Sequence, residues 1–116
     1  MFGKIITALV TPFDENYEID YESFNKLLDH VCKTHSDSIL IGGTTGEGPT
    51  LSLKEKINLF NFAKEKINKK MKILVAVGTN NTNESIKQVK SLNKLNIDGY
   101  LIITPYFNKP SQEGIY

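Results

Sequence analysis

Ser38-Ile39-Leu40-Ile41 runs directly into Gly42-Gly43-Thr44-Thr45-Gly46-Glu47-Gly48, so a short apolar strand ends in a loop of glycines and hydroxyls. In a parallel α/β sheet the carboxyl ends of strands form the face where ligands bind, and glycines let backbone N–H groups come close to an anion. Thr44 and Thr45 add two adjacent hydroxyls. A phosphate-binding P-loop would end in glycine, lysine and a hydroxyl residue so that an ammonium reaches the phosphates. Here Gly46 is followed by Glu47, whose carboxylate disfavours a multiply charged phosphate. The loop suits a smaller anion, such as the carboxylate of a keto acid held by hydroxyls and amides. The competing structural reading is a tight strand-to-helix turn with no ligand.

Outward from this loop, strand-like and helix-like segments alternate with a step of about 30 residues, the size of one strand-plus-helix unit. Strands are expected at Lys4 to Val10, Ser38 to Ile41, Lys72 to Val77 and Gly99 to Ile103. Apart from the first, broken by Thr7, they are nearly continuous apolar runs, as expected of parallel strands covered on both faces. Asp20 caps a first helix with Phe24, Leu27, Leu28 and Val31 on one stripe and His35 near its end. Ser52-Leu53-Lys54-Glu55 reads as a capping box for a second helix, buried through Ile57, Phe60, Ala63 and Ile67. Asn81 or Thr82 caps a third, with Ile86, Val89, Leu92 and Leu95 toward the sheet. The order is strand, helix, strand, helix, strand, helix, strand, and residues 1–116 read as one unit with no second domain.

Composition narrows the function classes. A net charge of +1, with Lys and Glu interspersed, leaves no basic stripe for nucleic acid. Ile5 to Val10 is too short for a signal-peptide core or a membrane span, so a soluble, cytoplasmic protein is expected. The single Cys32 cannot form an internal disulfide and is expected to pack within its helix. His30 and His35 have no carboxylate or thiol partners at ligand spacing, so no metal is expected. Lys64, Lys66, Lys69 and Lys70 read as the solvated face and end of the second helix.

The strand-end loops carry a more specific signal. Ala8-Leu9-Val10-Thr11-Pro12-Phe13, the Gly42 to Glu47 loop, Val77-Gly78-Thr79-Asn80 and the run Thr104-Pro105-Tyr106-Phe107-Asn108-Lys109-Pro110-Ser111-Gln112-Glu113-Gly114 together resemble the dihydrodipicolinate synthase family, in the expected order and over essentially the whole chain. The double Thr is more similar to that synthase than to the related N-acetylneuraminate lyases, which usually have Ser-Thr there. The resemblance implies the N-terminal half of a (β/α)8 TIM barrel, open unless paired or completed. It implies a class I lyase that condenses pyruvate with aspartate semialdehyde in lysine and diaminopimelate biosynthesis. Pyruvate is held there as a Schiff base on a lysine, with no other cofactor, in a homotetramer.

Carried over by position, Thr44, Thr45 and Gly43 would bind the pyruvate carboxylate, and Thr45 would join a hydroxyl relay for protons. A hydroxyl donates and accepts at once, so such a chain moves a proton without burying a charge. Phe107 stands where many members place a relay Tyr that crosses a dimer interface. Asn80, Glu84 and Tyr106 match the family's lysine-inhibitor and interface positions, whereas Leu53 and Lys56 replace residues that are often His in inhibitable members. Lys56 would repel a cationic inhibitor.

The resemblance places the Schiff-base lysine, its companion Tyr and an Arg for the second substrate beyond Tyr116. A substitute amine must be neutral at working pH, hence desolvated at a strand's carboxyl end. Lys4 and Lys72 lie at the amino ends of their strands, and Lys109 sits in a wet loop, so this chain alone is expected to lack condensing activity. Four strands cannot close a barrel. Leaving about six inward side chains wet forfeits on the order of 9 to 18 kcal/mol, comparable to the whole stability of a domain, about 5 to 15 kcal/mol. Self-association or pairing with a C-terminal half is therefore expected. Two alternatives remain open: a non-catalytic half-barrel that binds a small carboxylate or a partner chain, and a fragment of a sister lyase for another aldehyde.

Overall fold

A computed structural model describes residues 2–67 and 71–116, so Lys69 and Lys70 lie outside the described residues. Its elements follow the order β1 (Ile6–Ala8), α1 (Tyr21–Cys32), β2 (Ser38–Ile41), α2 (Leu53–Lys66), β3 (Lys72–Val77), α3 (Thr82–Leu92), a 3₁₀ turn at Asn93–Leu95, β4 (Gly99–Ile102) and a terminal turn of helix, α4 (Gln112–Ile115). The strands form one parallel sheet in the order β1-β2-β3-β4. The register sets Ala8 opposite Leu40, Leu40 opposite Leu74 and Leu74 opposite Gly99. The sheet is open at both edges, as the reading of half a barrel requires.

Because side chains alternate along a strand, the two faces divide cleanly. Leu9, Ile39, Ile41, Ile73, Val75 and Val77 face the helices and close a core with Phe24, Leu28, Leu59, Phe60 and Leu92. Leu40, Leu74 and Ala76 occupy the opposite, inward face, where Phe2 packs against them. That inward face is drier at its centre than expected: all three are buried, while Ile6, Val10, Leu101 and Ile103 on the two edge strands and their extensions stay about half exposed. Concavity and the Phe2 ring shield the middle strands, and only the edges lack neighbours.

The helix starts follow the sequence. Asp20 accepts from the Ser23 N–H, Ser52 and Glu55 complete the capping box, and Asn81 accepts from the Glu84 N–H. Other expectations are corrected. The first strand shrinks from Lys4–Val10 to Ile6–Ala8: at its amino end the N–H groups of Lys4 and Ile5 turn to the Asp37 carboxylate at 2.7 and 2.9 Å instead of joining the ladder, while past Ala8 the Leu9 N–H still reaches the Leu40 carbonyl at 3.0 Å. The fourth strand ends at Ile102, although the Ile103 N–H still reaches the Val77 carbonyl at 3.2 Å. His35 falls beyond α1, whose C-cap is Lys33, so His30 is the basic residue of the last turn. Cys32 is exposed rather than packed, since it sits one residue past the buried Val31. Ile86 is exposed near the start of α3, while Val89, one turn on, packs against the core and Leu92 is buried. Lys64 and Lys66 lie on the solvated side of α2, their ammonium groups 5.3 and 5.7 Å from the Phe60 and Phe62 rings.

Candidate functional site

At the carboxyl end of the sheet the Gly42 to Gly48 loop folds on its own backbone. The Gly43 carbonyl accepts from the N–H groups of Gly46 and Gly48 at 3.1 and 3.0 Å, and the Thr44 carbonyl from Glu47 at 3.1 Å. These glycine amides are consumed by the turn and are not offered to an anion, which corrects one part of the sequence argument. The glycines serve close approach instead: a Cβ on Gly48 would lie 1.9 Å from the Gly42 carbonyl oxygen, and one on Gly46 2.7 Å from that of Leu9. Among the described residues, the N–H groups of Thr44 and Thr45 have no internal partner. Both threonines are exposed. Two hydroxyls and two free amides therefore stand together at the end of β2.

Thr11 fixes this loop to the end of the first strand. Its buried hydroxyl donates to the Gly46 carbonyl at 2.7 Å, and the Leu9 N–H donates to Leu40 at 3.0 Å. Only the motif around Thr11 drew attention in the sequence, not this bond.

Beside the loop is a cleft of about 330 Å³, bordered by Gly43, Thr44, Lys56, Thr79, Gln88 and Tyr106 with aliphatic side chains between them. The structure thus brings Gly43, Thr44 and Tyr106 to one cavity, while Thr45 lies outside its lining. Asn80 is at the neighbouring strand end, and its carbonyl accepts from the Asn108 side chain at 2.9 Å, which ties the last loop to the end of β3. Glu84 is in the first turn of α3, where it pairs with Lys87 at 3.5 Å on the surface. Phe107 is 89% exposed at a φ of +66°, its ring edge-on to Tyr106. It projects from the cleft instead of lining it.

The group that sequence reasoning undervalued is Lys56. It is only 8% exposed, its stem lies across Gly42, and its Nζ donates to the Ala76 carbonyl at 3.3 Å. Burial pushes its pKa down from the usual lysine value. The signal was available in helical phase, because Lys56 precedes Leu59 by three residues and Phe60 by four on the buried side of α2. Of the lysines considered as amines, Lys4 and Lys109 are exposed, and Lys72 is paired with Asp98 at 2.9 Å. Among the described residues no group of His, Cys, Asp and Glu could hold a metal ion. None of their helices is long and apolar enough to cross a membrane.

Comparison with known proteins agrees with the fold and the loops. The family model of the Dihydrodipicolinate synthetase family matches residues 1–116. The chain is 43% identical over 115 residues to the 4-hydroxy-tetrahydrodipicolinate synthase of Bacillus subtilis (strain 168), and 48% over 116 residues to that of Prochlorococcus marinus (strain MIT 9515). These matches take in 99% and 100% of this chain, but 40% and 38% of the relatives, so the chain spans about two fifths of their length. Among solved structures, dihydrodipicolinate synthase from Thermotoga maritima superposes with a TM-score of 0.94 at 40% identity, over 100% of this chain and 39% of the other. The enzyme from Cyanidioschyzon merolae with lysine bound gives 0.91 at 42% identity, over 98% and 39%. With a family match over its full length and a sheet that overlays the N-terminal part of these barrels, the chain belongs to the dihydrodipicolinate synthetase family.

Proposed function

We propose that this chain supplies one side of the reaction chamber of a 4-hydroxy-tetrahydrodipicolinate synthase, in which the Thr44 and Thr45 hydroxyls and N–H groups hold the carboxylate of pyruvate. The observation that carries this reading is the pairing of two exposed hydroxyls with two unpartnered amides at the end of β2. A carboxylate has two oxygens with several lone pairs, and four donors on two adjacent residues can satisfy it without a cation. Thr45, which is outside the lining of the cleft, would also join a hydroxyl relay for protons. The imine-forming amine comes from the rest of the barrel, so the 116 residues by themselves condense nothing. A partner is required, either a second copy or a C-terminal half, because the inward rims of β1 and β4 are uncovered.

Asn80, Glu84 and Tyr106 line the inhibitor and interface side of the same enzyme, with Phe107 at the surface that meets a neighbouring subunit. Lysine inhibits weakly, because the Lys56 ammonium borders the same cleft as Tyr106 and repels a second cation.

The test mixes labelled pyruvate and borohydride with the chain alone. It then repeats the trapping with the chain co-expressed with the part of the Bacillus subtilis relative that it does not match. No label on the chain alone, and label plus synthase activity in the pair, is the expected result. Loss of that activity in a Thr44→Val, Thr45→Val variant assigns the hydroxyls. Covalent labelling of the isolated chain would overturn the reading.

A further inference from the structure

The cleft between α2, β3 and β4 has a feature that keto-acid binding at the end of β2 does not use. Lys56 brings an ammonium into it, 8% exposed, with a single bond to a neutral carbonyl. Among the described residues, Lys56 and Tyr106 are the titratable ones of its lining and no carboxylate borders it. Among the described residues Lys56 forms no ion pair. A cation taken from water without a counter-charge is costly, and proteins relieve that cost by neutralising the group or by giving it an anion.

A second donor faces the same space. The Gly78 N–H donates to Oε1 of Gln88 at 3.1 Å, which fixes the amide so that its NH₂ end is left for another partner. Gln88 borders the cleft with Lys56, Thr44 and Thr79. The Thr79 hydroxyl is committed to the Asn81 carbonyl at 3.2 Å. With the Thr44 hydroxyl assigned to the keto acid, the ammonium and the Gln88 amide remain, set among Leu51, Leu101 and Ile103. One positive charge, one neutral donor and apolar walls suit a small ion of one negative charge better than a phosphate.

We propose that this cleft is a binding site for a small monoanion, a monocarboxylate or a halide, held by Lys56 Nζ with the Gln88 amide. It is separate from the Thr44 and Thr45 amides that face the keto acid, and it stands whether or not those bind pyruvate. An occupant would neutralise Lys56 and couple α2 to the ends of β3 and β4. The anion would thereby be a ligand of the folded state and stabilise it.

The test is an amide chemical-shift titration of the 116-residue chain with sodium chloride and, separately, sodium acetate. Saturating shifts at Ala76 and Gly78, the backbone partners of Lys56 and Gln88, are expected. Loss of a hydrogen bond to a charged group should weaken binding about tenfold or more in Lys56→Met, with Lys56→Arg retaining it. Tighter binding of acetate assigns a carboxylate occupant, and tighter binding of chloride a halide. Gln88→Leu, which removes the second donor from a half-buried position, should weaken the same response if Lys56→Met fails to fold. Shifts that grow linearly with salt, or that are unchanged in Lys56→Met or, if that variant fails to fold, in Gln88→Leu, would overturn the proposal.

Discussion

The Thr11 hydroxyl donates to the Gly46 carbonyl at 2.7 Å, and this buried bond joins the end of the first strand to the loop after the second across 35 residues of sequence. Thr11→Val keeps the shape and removes the donor, leaving the carbonyl unsatisfied at a cost of about 1–3 kcal/mol. Urea unfolding should register that loss. Thr11→Ser, which restores the hydroxyl, should recover most of it.

Gly48 is a sharper constraint. A methyl at this position would meet the Gly42 carbonyl oxygen at 1.9 Å, a contact with backbone that no rotamer relieves. Gly48→Ala is expected to cost about 1–3 kcal/mol through forced displacement of the loop. In the reconstituted enzyme it should raise the KM for pyruvate, because the Thr44 and Thr45 amides move with that backbone. Steady-state kinetics would check this.

Lys56 titrates in the direction set by burial, below the usual lysine range. Between its folded pKa and the unfolded value of about 10.4, the unfolded chain binds more protons, so stability rises with pH across that window. Lys56→Met should flatten this alkaline rise and leave the chain at least as stable at neutral pH. Melting temperatures measured from pH 7 to 10.5 in both proteins test the sign.

At acid pH the carboxylates act in the opposite sense. Asp37 is held below its ordinary value by the backbone N–H groups of Ile5 and Lys4. In Asp98, burial works upward but is outweighed by the Ile73 N–H and by Lys72. Both groups contribute fully above the unfolded carboxylate pKa of about 3.9, and the contribution fades as pH falls through their lower folded values. Asp37→Asn should reduce stability at pH 7 and narrow the difference from the parent chain at about pH 2, as read by circular dichroism.

Much of this architecture was visible in the residues. β2 and β3 match the expected spans residue for residue, because a strand buried on both faces must be a continuous apolar run, and the three caps are local chemistry. The edges were less legible. β1 lost its amino end to Asp37, a side chain whose role depends on where the chain returns 32 residues later. Thr44 and Tyr106 were found from their loops, since a strand end fixes their position. Gln88 and the burial of Lys56 were missed, because a charged or amide residue on a helix is ordinarily solvated and only tertiary packing turns these two inward. The internal use of the glycine amides was likewise a property of the folded turn, not of its composition.

Phe2 lays its ring where a Cβ on Gly99 would otherwise sit, and its carbonyl accepts a hydrogen bond from the Ser38 hydroxyl. The strands' amino ends are therefore stoppered at the middle of the sheet, and the cleft lies at the opposite rim. An attachment point placed near Phe2, on a biosensor chip or a bead, would leave that mouth facing the solution.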